Sequence, residues 1–333
     1  MLTFARICYL HGLLCFCLCI PEAAAVMQGQ FLENAPVVQL VFEHRDWHEF
    51  RQEWRVSHSE CSAVIVGNKP LTLLTAAHCL RDVGKDAASG LPSVKIAQTA
   101  QQHLLQAKLQ YAVFPEFDKV RGNLIDDLAV LVFDLQLGDD QALAPVLLDT
   151  PSDNITICGY GYGSADSLPH TLRCGQRHLY GGAENFNRFL PVDYESQDPL
   201  FYARYRTQFE SKTSAVSSLE ALWALNRLDD VGEYDVHLPM PTLGDSGGPW
   251  LHALQDGHYA VIGVTSFVES FYGSSPQWAF FRQSSAPLQD FVYAAYGIRL
   301  DSMRARKLFN AARMKGADIR VVRQSWLKRE GAF

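Results

Sequence analysis

Gly244-Asp245-Ser246-Gly247-Gly248-Pro249 decides how the chain reads: its serine is flanked by residues small enough to bring backbone N–H groups up to a reacting carbonyl. A serine hydroxyl is a poor nucleophile at neutral pH. It needs a histidine to accept its proton and a buried carboxylate to hold that histidine in one tautomer. Upstream, Thr75-Ala76-Ala77-His78-Cys79 offers the histidine, and Asp126-Asp127-Leu128-Ala129-Val130-Leu131 offers the carboxylate in Asp127. Any one of these segments would pass for an ordinary turn or strand. Their joint occurrence points to a hydrolase.

Gly-Asp-Ser-Gly-Gly also satisfies Gly-x-Ser-x-Gly, the strand-to-helix elbow of α/β-hydrolases, whose acid and histidine must follow the serine in the chain. Only His252 and His258 follow Ser246, too close to it for the intervening strand and helix. The order His78, Asp127, Ser246 instead resembles the trypsin-like (chymotrypsin-fold) serine endopeptidases, over roughly residues 26–297. That resemblance implies an all-β protein of two antiparallel β-barrels with the site between them, acting on peptide or protein substrates without a cofactor or metal. Two readings from other classes stay open: a protease-like binding protein that has lost turnover, and an esterase of the elbow type.

The same resemblance assigns roles. His78 is general base and then general acid, Asp127 orients it with Asp126 as a solvated neighbour, and Ser246 forms the acyl-enzyme. The N–H groups of Gly244 and Ser246 make the oxyanion hole. Ser266, in Gly263-Val264-Thr265-Ser266-Phe267, supports the buried carboxylate and begins the strand along which an extended substrate pairs. Asp245 receives a new N-terminal ammonium, and Val26-Met27-Gln28-Gly29 resembles the segment that supplies it. Met240, six residues before Ser246, falls at the base of the primary pocket, where members that cleave after Arg or Lys carry Asp. Val268 and Gln277 align with wall positions usually held by glycine. A narrow, uncharged pocket follows, suited to small or medium uncharged side chains unless a residue such as Glu210 or Asp229 supplies a charge.

At 333 residues, 48% hydrophobic and 20% charged, the composition is that of a globular protein of one or two domains. Arg6, an apolar run from Ile7 to Ile20, Pro21-Glu22 and Ala23-Ala24-Ala25 follow the order of a secretory signal peptide over residues 1–25, the run being short for a membrane span. Cleavage there would expose Val26, so export would also activate. A secreted or periplasmic location is expected. Cys8, Cys15, Cys17 and Cys19 leave with the leader; Cys61, Cys79, Cys158 and Cys174 remain, with three possible pairings. An oxidising compartment favours disulfides, and the resemblance selects Cys61–Cys79, leaving Cys158–Cys174. The lack of Cys-x-x-Cys or paired His spacing argues against zinc. Asn154-Ile155-Thr156 is a glycosylation sequon in a eukaryotic source.

Short apolar runs such as Val37-Val38-Gln39-Leu40-Val41-Phe42, Ser62-Ala63-Val64-Ile65-Val66 and Leu128–Phe133 read as strands of a first barrel over residues 26–150. A polar link at Asp149–Asn154 leads to a second barrel over 151–300, with Ile155–Ile157, Tyr259–Val264 and Trp278–Phe281 as strands. The segment 175–239 reads as an insertion, and Val216, Leu219, Leu222, Trp223 and Leu225 predict a helix over Ser214–Leu228. In the extension 301–333, nine basic residues face three acidic ones, +6 on a chain of −7, which leaves −13 on residues 1–300. That asymmetry fits docking on the acidic body or on an acidic partner; nucleic acid is not expected, and a monomer is. Ala305, Leu308, Phe309 and Ala312 predict one apolar helical stripe that ends before Gly316.

Overall fold

The computed structural model describes residues 26, 29–30, 32, 35–80, 93–97, 104–113, 127–149, 154–161, 172–179, 221–225, 239–242, 244–271 and 291–323. Six antiparallel strands close a first barrel: β1 (Val37–His48), β2 (Glu53–Asn68), β3 (Leu71–Thr75), β4 (Ser93–Ala97), β5 (Leu104–Val113) and β6 (Ala129–Phe133). Their order is β1-β2-β3-β6-β5-β4, and β4 returns to β1 at Gln39–Val41. The second layer holds β7 (Val146–Leu147), β8 (Asn154–Gly159), β9 (Arg173–His178), β10 (Ala221–Leu225), β11 (Pro249–Ala253), β12 (Tyr259–Phe271), β13 (Phe291–Arg299) and β14 (Val321–Val322). Its main path is β10-β13-β12-β11-β8-β9, with β7 paired parallel to β12 and β14 paired parallel to β7. The architecture is the expected all-β one, with one α-helix among the described residues, α1 (Met303–Met314).

The first barrel's apolar runs are continuous because both faces of its wall are buried. On β2, β3 and β6, Ala63, Ile65, Leu71, Leu73, Ala129, Leu131 and Phe133 fill the barrel. Their neighbours Val64, Val66, Leu74, Val130 and Val132 point the other way, into a core shared with Cys158, Leu251, Val261, Val264 and Ile298 of the second layer. Strand residues alternate between faces, so a strand buried on both sides shows no polar alternation. The shared core makes the two layers one body and fixes the site between them.

Helix α1 docks on that core. Ser302 caps it by accepting a hydrogen bond from the Ala305 N–H at 3.2 Å, and Ala305, Phe309 and Ala312 are buried, with Leu308 half-buried beside them. Beyond the helix the chain returns along the first barrel. The Asp318 carboxylate accepts from the Asn68 and Lys69 N–H groups, the Arg320 N–H donates to Val66 O, and β14 pairs with β7. The seven described basic residues of the extension, Arg304, Arg306, Lys307, Arg313, Lys315, Arg320 and Arg323, are all exposed.

One expected element is different. The helix predicted over Ser214–Leu228 is, at its described residues, the strand β10, paired antiparallel with β13 from Ala221↔Ile298 to Leu225↔Ala294. Leu222 and Ala224 are buried against Trp250 and Ile262. The spacing i, i+2 serves them as well as helical spacing serves the wider window, and a short apolar run does not separate the two by periodicity. The remainder of that predicted helix lies outside the described residues.

Phe309→Ala empties a buried site at the meeting of helix and barrels. A loss of about 3–5 kcal/mol is expected from denaturant unfolding; a loss below about 1 kcal/mol would mean that the helix is not part of the cooperative core.

Candidate active site

His78 sits on the 3₁₀ turn Ala77–Leu80, one residue beyond the end of β3, and Asp127 is separated by Leu128 from the start of β6, the strand paired with β3 through Thr75↔Ala129. That pairing brings the two side chains together. Asp127 Oδ1 accepts the His78 backbone N–H at 2.8 Å, and Oδ2 lies 2.8 Å from Nδ1 of the imidazole. The bidentate grip orients the ring, makes Nδ1 the protonated nitrogen, and leaves Nε2 as the basic one. Ser266 Oγ donates to the same Oδ2 at 2.5 Å. Ser266 stands in mid-strand, not at a strand start: the β12–β13 register slips between Thr265 and Phe267, and such a bulge re-aims the side chain out of the ladder. Asp127 is buried while the His78 side chain is 28% exposed, so the acid is sheltered and the base faces the cleft. Asp126 lies outside the described residues.

The Ser246 loop is tied to the first barrel by its backbone. The Ser62 N–H donates to Ser246 O at 2.8 Å, Ser62 Oγ donates to Gly244 O at 3.1 Å, and Ser62 Oγ accepts the Tyr160 N–H at 2.9 Å. Cys61, next to Ser62, is disulfide-bonded to Cys79, next to His78. One staple therefore fixes the histidine turn and the serine loop to the same strand. Ser62 is a participant that the sequence reading missed; the signal was a small polar residue at the head of the apolar run Ala63–Val66, beside a cysteine. The second disulfide, Cys158–Cys174, crosses β8 and β9 at directly opposed positions. With separations of 18 and 16 residues, each bridge contributes about 3 kcal/mol on the chain-entropy account.

Within the loop, Gly244 and Gly247 have φ of 92° and 78°, a region that side chains rarely enter. A Cβ on Gly247 would also collide with Thr75 Oγ1 and Ser62 O. The N–H groups of Asp245, Gly247 and Gly248 donate to Thr242 O, Thr265 O and Asp245 O. Among the described residues, those of Gly244 and Ser246 have no such acceptor.

Asp245 is completely buried. Its Oδ1 accepts the Gly161 N–H at 2.6 Å, and Oδ2 accepts the N–H groups of Thr242 and Val26 at 2.8 and 3.1 Å. In the chain that continues through Ala25, the Val26 nitrogen is a neutral amide. Desolvation then outweighs the three backbone donors and pushes the carboxyl up to about 6. Close by, Gln30 and Cys174 exchange two backbone hydrogen bonds that seat the N-terminal segment against β9.

Met240 and Val268 belong to one apolar core cluster with Trp250, Leu222 and Ile262, where Met240 is buried and Val268 half-buried. Gln277, Glu210 and Asp229 lie outside the described residues.

Two β layers joined by a shared core, with a histidine and aspartate on one and a serine loop on the other, define a chymotrypsin-type protein. Residues 43–202, just under half of the chain, match the family model described as Trypsin. No curated protein matches it in sequence. Similar solved structures include an inactivated protease paralogue of the scabies mite, SMIPP-S-D1. It is 15% identical with a TM-score of 0.48, covering 89% of this chain and 99% of that one. Another is the thermostable serine protease AL20 of an extremophilic microorganism, 16% identical with a TM-score of 0.49, covering 85% and 99%. One of the two is described as inactivated and the other as a protease, and likeness at this level carries no argument about turnover.

The Asp245 carboxyl makes stability depend on pH with an unusual sign. Its folded pKa lies above the unfolded one, so the folded chain binds more protons between about pH 4 and 6, and stability falls as pH rises through that window. Denaturant midpoints of the chain extended through Ala25 should show a loss on the order of 3 kcal/mol there, absent in Asp245→Asn. A form that begins at Val26 places an ammonium on the carboxylate and should lose the effect. A window unchanged by Asp245→Asn would refute the assignment.

Proposed function

We propose that the protein is a secreted serine endopeptidase that hydrolyses peptide bonds through an acyl-enzyme on Ser246. The observation that carries the reading is the two-point grip of Asp127 on the His78 backbone and Nδ1, which holds Nε2 as the base. Ser246 Oγ attacks the scissile carbonyl carbon while His78 Nε2 takes its proton. The carbonyl oxygen becomes an oxyanion that receives the N–H groups of Gly244 and Ser246, each donor worth roughly 3–4 kcal/mol in the transition state. Collapse breaks the C–N bond, and the imidazolium gives its proton to the departing amine. Water, activated by the same Nε2, then adds to the acyl carbon and releases the acid and Ser246. Asp127 holds the imidazole in place throughout, with Ser266 as a second donor to its carboxylate. Residues 1–25 are the export signal in this reading, and the Cys61–Cys79 and Cys158–Cys174 disulfides suit an oxidising compartment. Removal of the signal frees Val26 to meet Asp245.

Ser246→Ala and His78→Ala should each lower kcat/KM on a peptide substrate to the same floor, since triad losses do not add. Substantial turnover by purified Ser246→Ala would end the proposal.

For specificity, the apolar Met240–Val268 cluster favours small or medium uncharged residues before the scissile bond. Discrimination among them should be broad, roughly 10–200-fold per methylene. Peptides differing only at that residue measure it; a dominant preference for Arg or Lys would contradict the pocket assignment.

A further inference from the structure

Ser62 is fully buried on β2, and each of its polar groups is engaged. Its N–H donates to Ser246 O and its C=O accepts from Thr75 Oγ1, both at 2.8 Å, so its backbone is pinned between the serine loop and β3. The hydroxyl is held as well. It accepts the Tyr160 N–H at 2.9 Å and donates to Gly244 O at 3.1 Å. An amide N–H can only donate and a carbonyl can only accept, so the single hydroxyl proton has one place to go. The relay from Tyr160 N–H through Ser62 Oγ to Gly244 O therefore runs in one direction, and each bond polarises the next.

The two candidate oxyanion donors are not secured alike. The Ser246 N–H shares a planar peptide with Asp245 O, which accepts the Gly248 N–H at 2.8 Å, so the loop's own backbone aims it. Gly244 is secured from outside the loop. The Asp245 N–H closes a four-residue turn on Thr242 O, with Gly244 in its third place at a φ of 92°. Without a Cβ, a glycine swings easily out of such a conformation. The peptide that follows Gly244 is gripped at both ends, by Thr242 O at its N–H and by Ser62 Oγ at its C=O. The first grip lies within the turn and would move with it. The second comes from the other barrel and would not.

We propose that the Ser62 hydroxyl is a positioning group for the oxyanion hole: it clamps the Gly244 carbonyl so that the Gly244 N–H is aimed at the substrate's carbonyl oxygen before reaction begins. The inference rests on the peptidase reading above. A donor aimed in advance needs no reorganisation as charge develops, which is where such donors gain their effect. The anchor is shared with the base. Cys61, beside Ser62, is bridged to Cys79, beside His78, and Thr75, which holds the Ser62 carbonyl, pairs with Ala129 two residues beyond Asp127. Histidine, aspartate and oxyanion donor are thereby all placed relative to one residue of β2. At the other end of the relay, Gly161 donates to Asp245 Oδ1, so the segment Tyr160–Gly161 steadies Gly244 through Ser62 and Asp245 directly.

Ser62→Ala removes the hydroxyl and leaves the backbone bonds to Ser246 O and Thr75 Oγ1 in place. On a peptide substrate kcat should fall roughly tenfold to hundredfold, as for a displaced donor. KM should change less than about twofold, and the pH at which activity sets in, governed by His78, should stay where it is. A peptidyl trifluoromethyl ketone, isotope-labelled at its carbonyl carbon, gives a readout that general loosening would not move. Ser246 Oγ adds to that carbon, the serine proton passes to His78 Nε2, and the former carbonyl oxygen becomes an oxyanion in the hole. An NMR titration follows protonation of that oxygen, whose pKa should be about one unit higher in Ser62→Ala, a tenfold weaker hold. Ser62→Gly, which deletes the same hydroxyl, takes its place if Ser62→Ala does not fold. An unchanged kcat, an unchanged adduct pKa, or a loss carried by KM alone overturns the clamp while leaving the peptidase reading standing. If the unmodified protein cleaves no peptide, the peptidase reading fails instead. Amide hydrogen exchange then decides the clamp: faster exchange of the Asp245 N–H in the variant supports it, and equal exchange overturns it.

Discussion

A buried carboxylate governs the candidate active site. Among the described residues no cation lies beside Asp245 in the chain that continues through Ala25, yet it gathers backbone N–H groups from three separate places: Val26, Thr242 and Gly161. Burying an unpaired charge costs several kcal/mol, and its raised pKa is that cost expressed as proton affinity. The serine next to it inherits the consequence, because Asp245 is the residue between the two candidate oxyanion donors. Whatever neutralises that carboxylate also settles the geometry of the loop.

Asp127 solves the complementary problem. It too is buried, but it accepts a backbone N–H, an imidazole nitrogen and a serine hydroxyl at short range. One aspartate is thereby satisfied by groups that the first barrel and β12 carry in any form of the chain. The other waits on a partner whose charge depends on where the chain begins. The shared core beneath them, with Val64, Val130 and Leu251 in contact across the layers, gives both a rigid floor. Two disulfides then hold the strands that carry the loops.

The chemistry-bearing motifs were legible in the sequence because their reactions constrain residue type and spacing tightly. His78, Asp127 and the glycine-flanked Ser246 leave few alternatives, and the apolar runs gave the strands of a barrel buried on both faces. Ser62 was invisible, since a serine at the head of an apolar run has many innocent explanations and its partners Gly244, Ser246 and Tyr160 are far away in sequence. The β10 error came from a window too short to separate a period of two from one of 3.6.

The central claim is that Ser246 is an activated nucleophile held by His78 and Asp127. Mass-spectrometric mapping after reaction with a fluorophosphonate tests it most directly. The account predicts one adduct per chain, on Ser246, formed at a rate that collapses in Asp127→Asn, where the histidine loses its proper tautomer. A chain beginning at Val26 that gives no adduct, or an adduct on another serine, would contradict it.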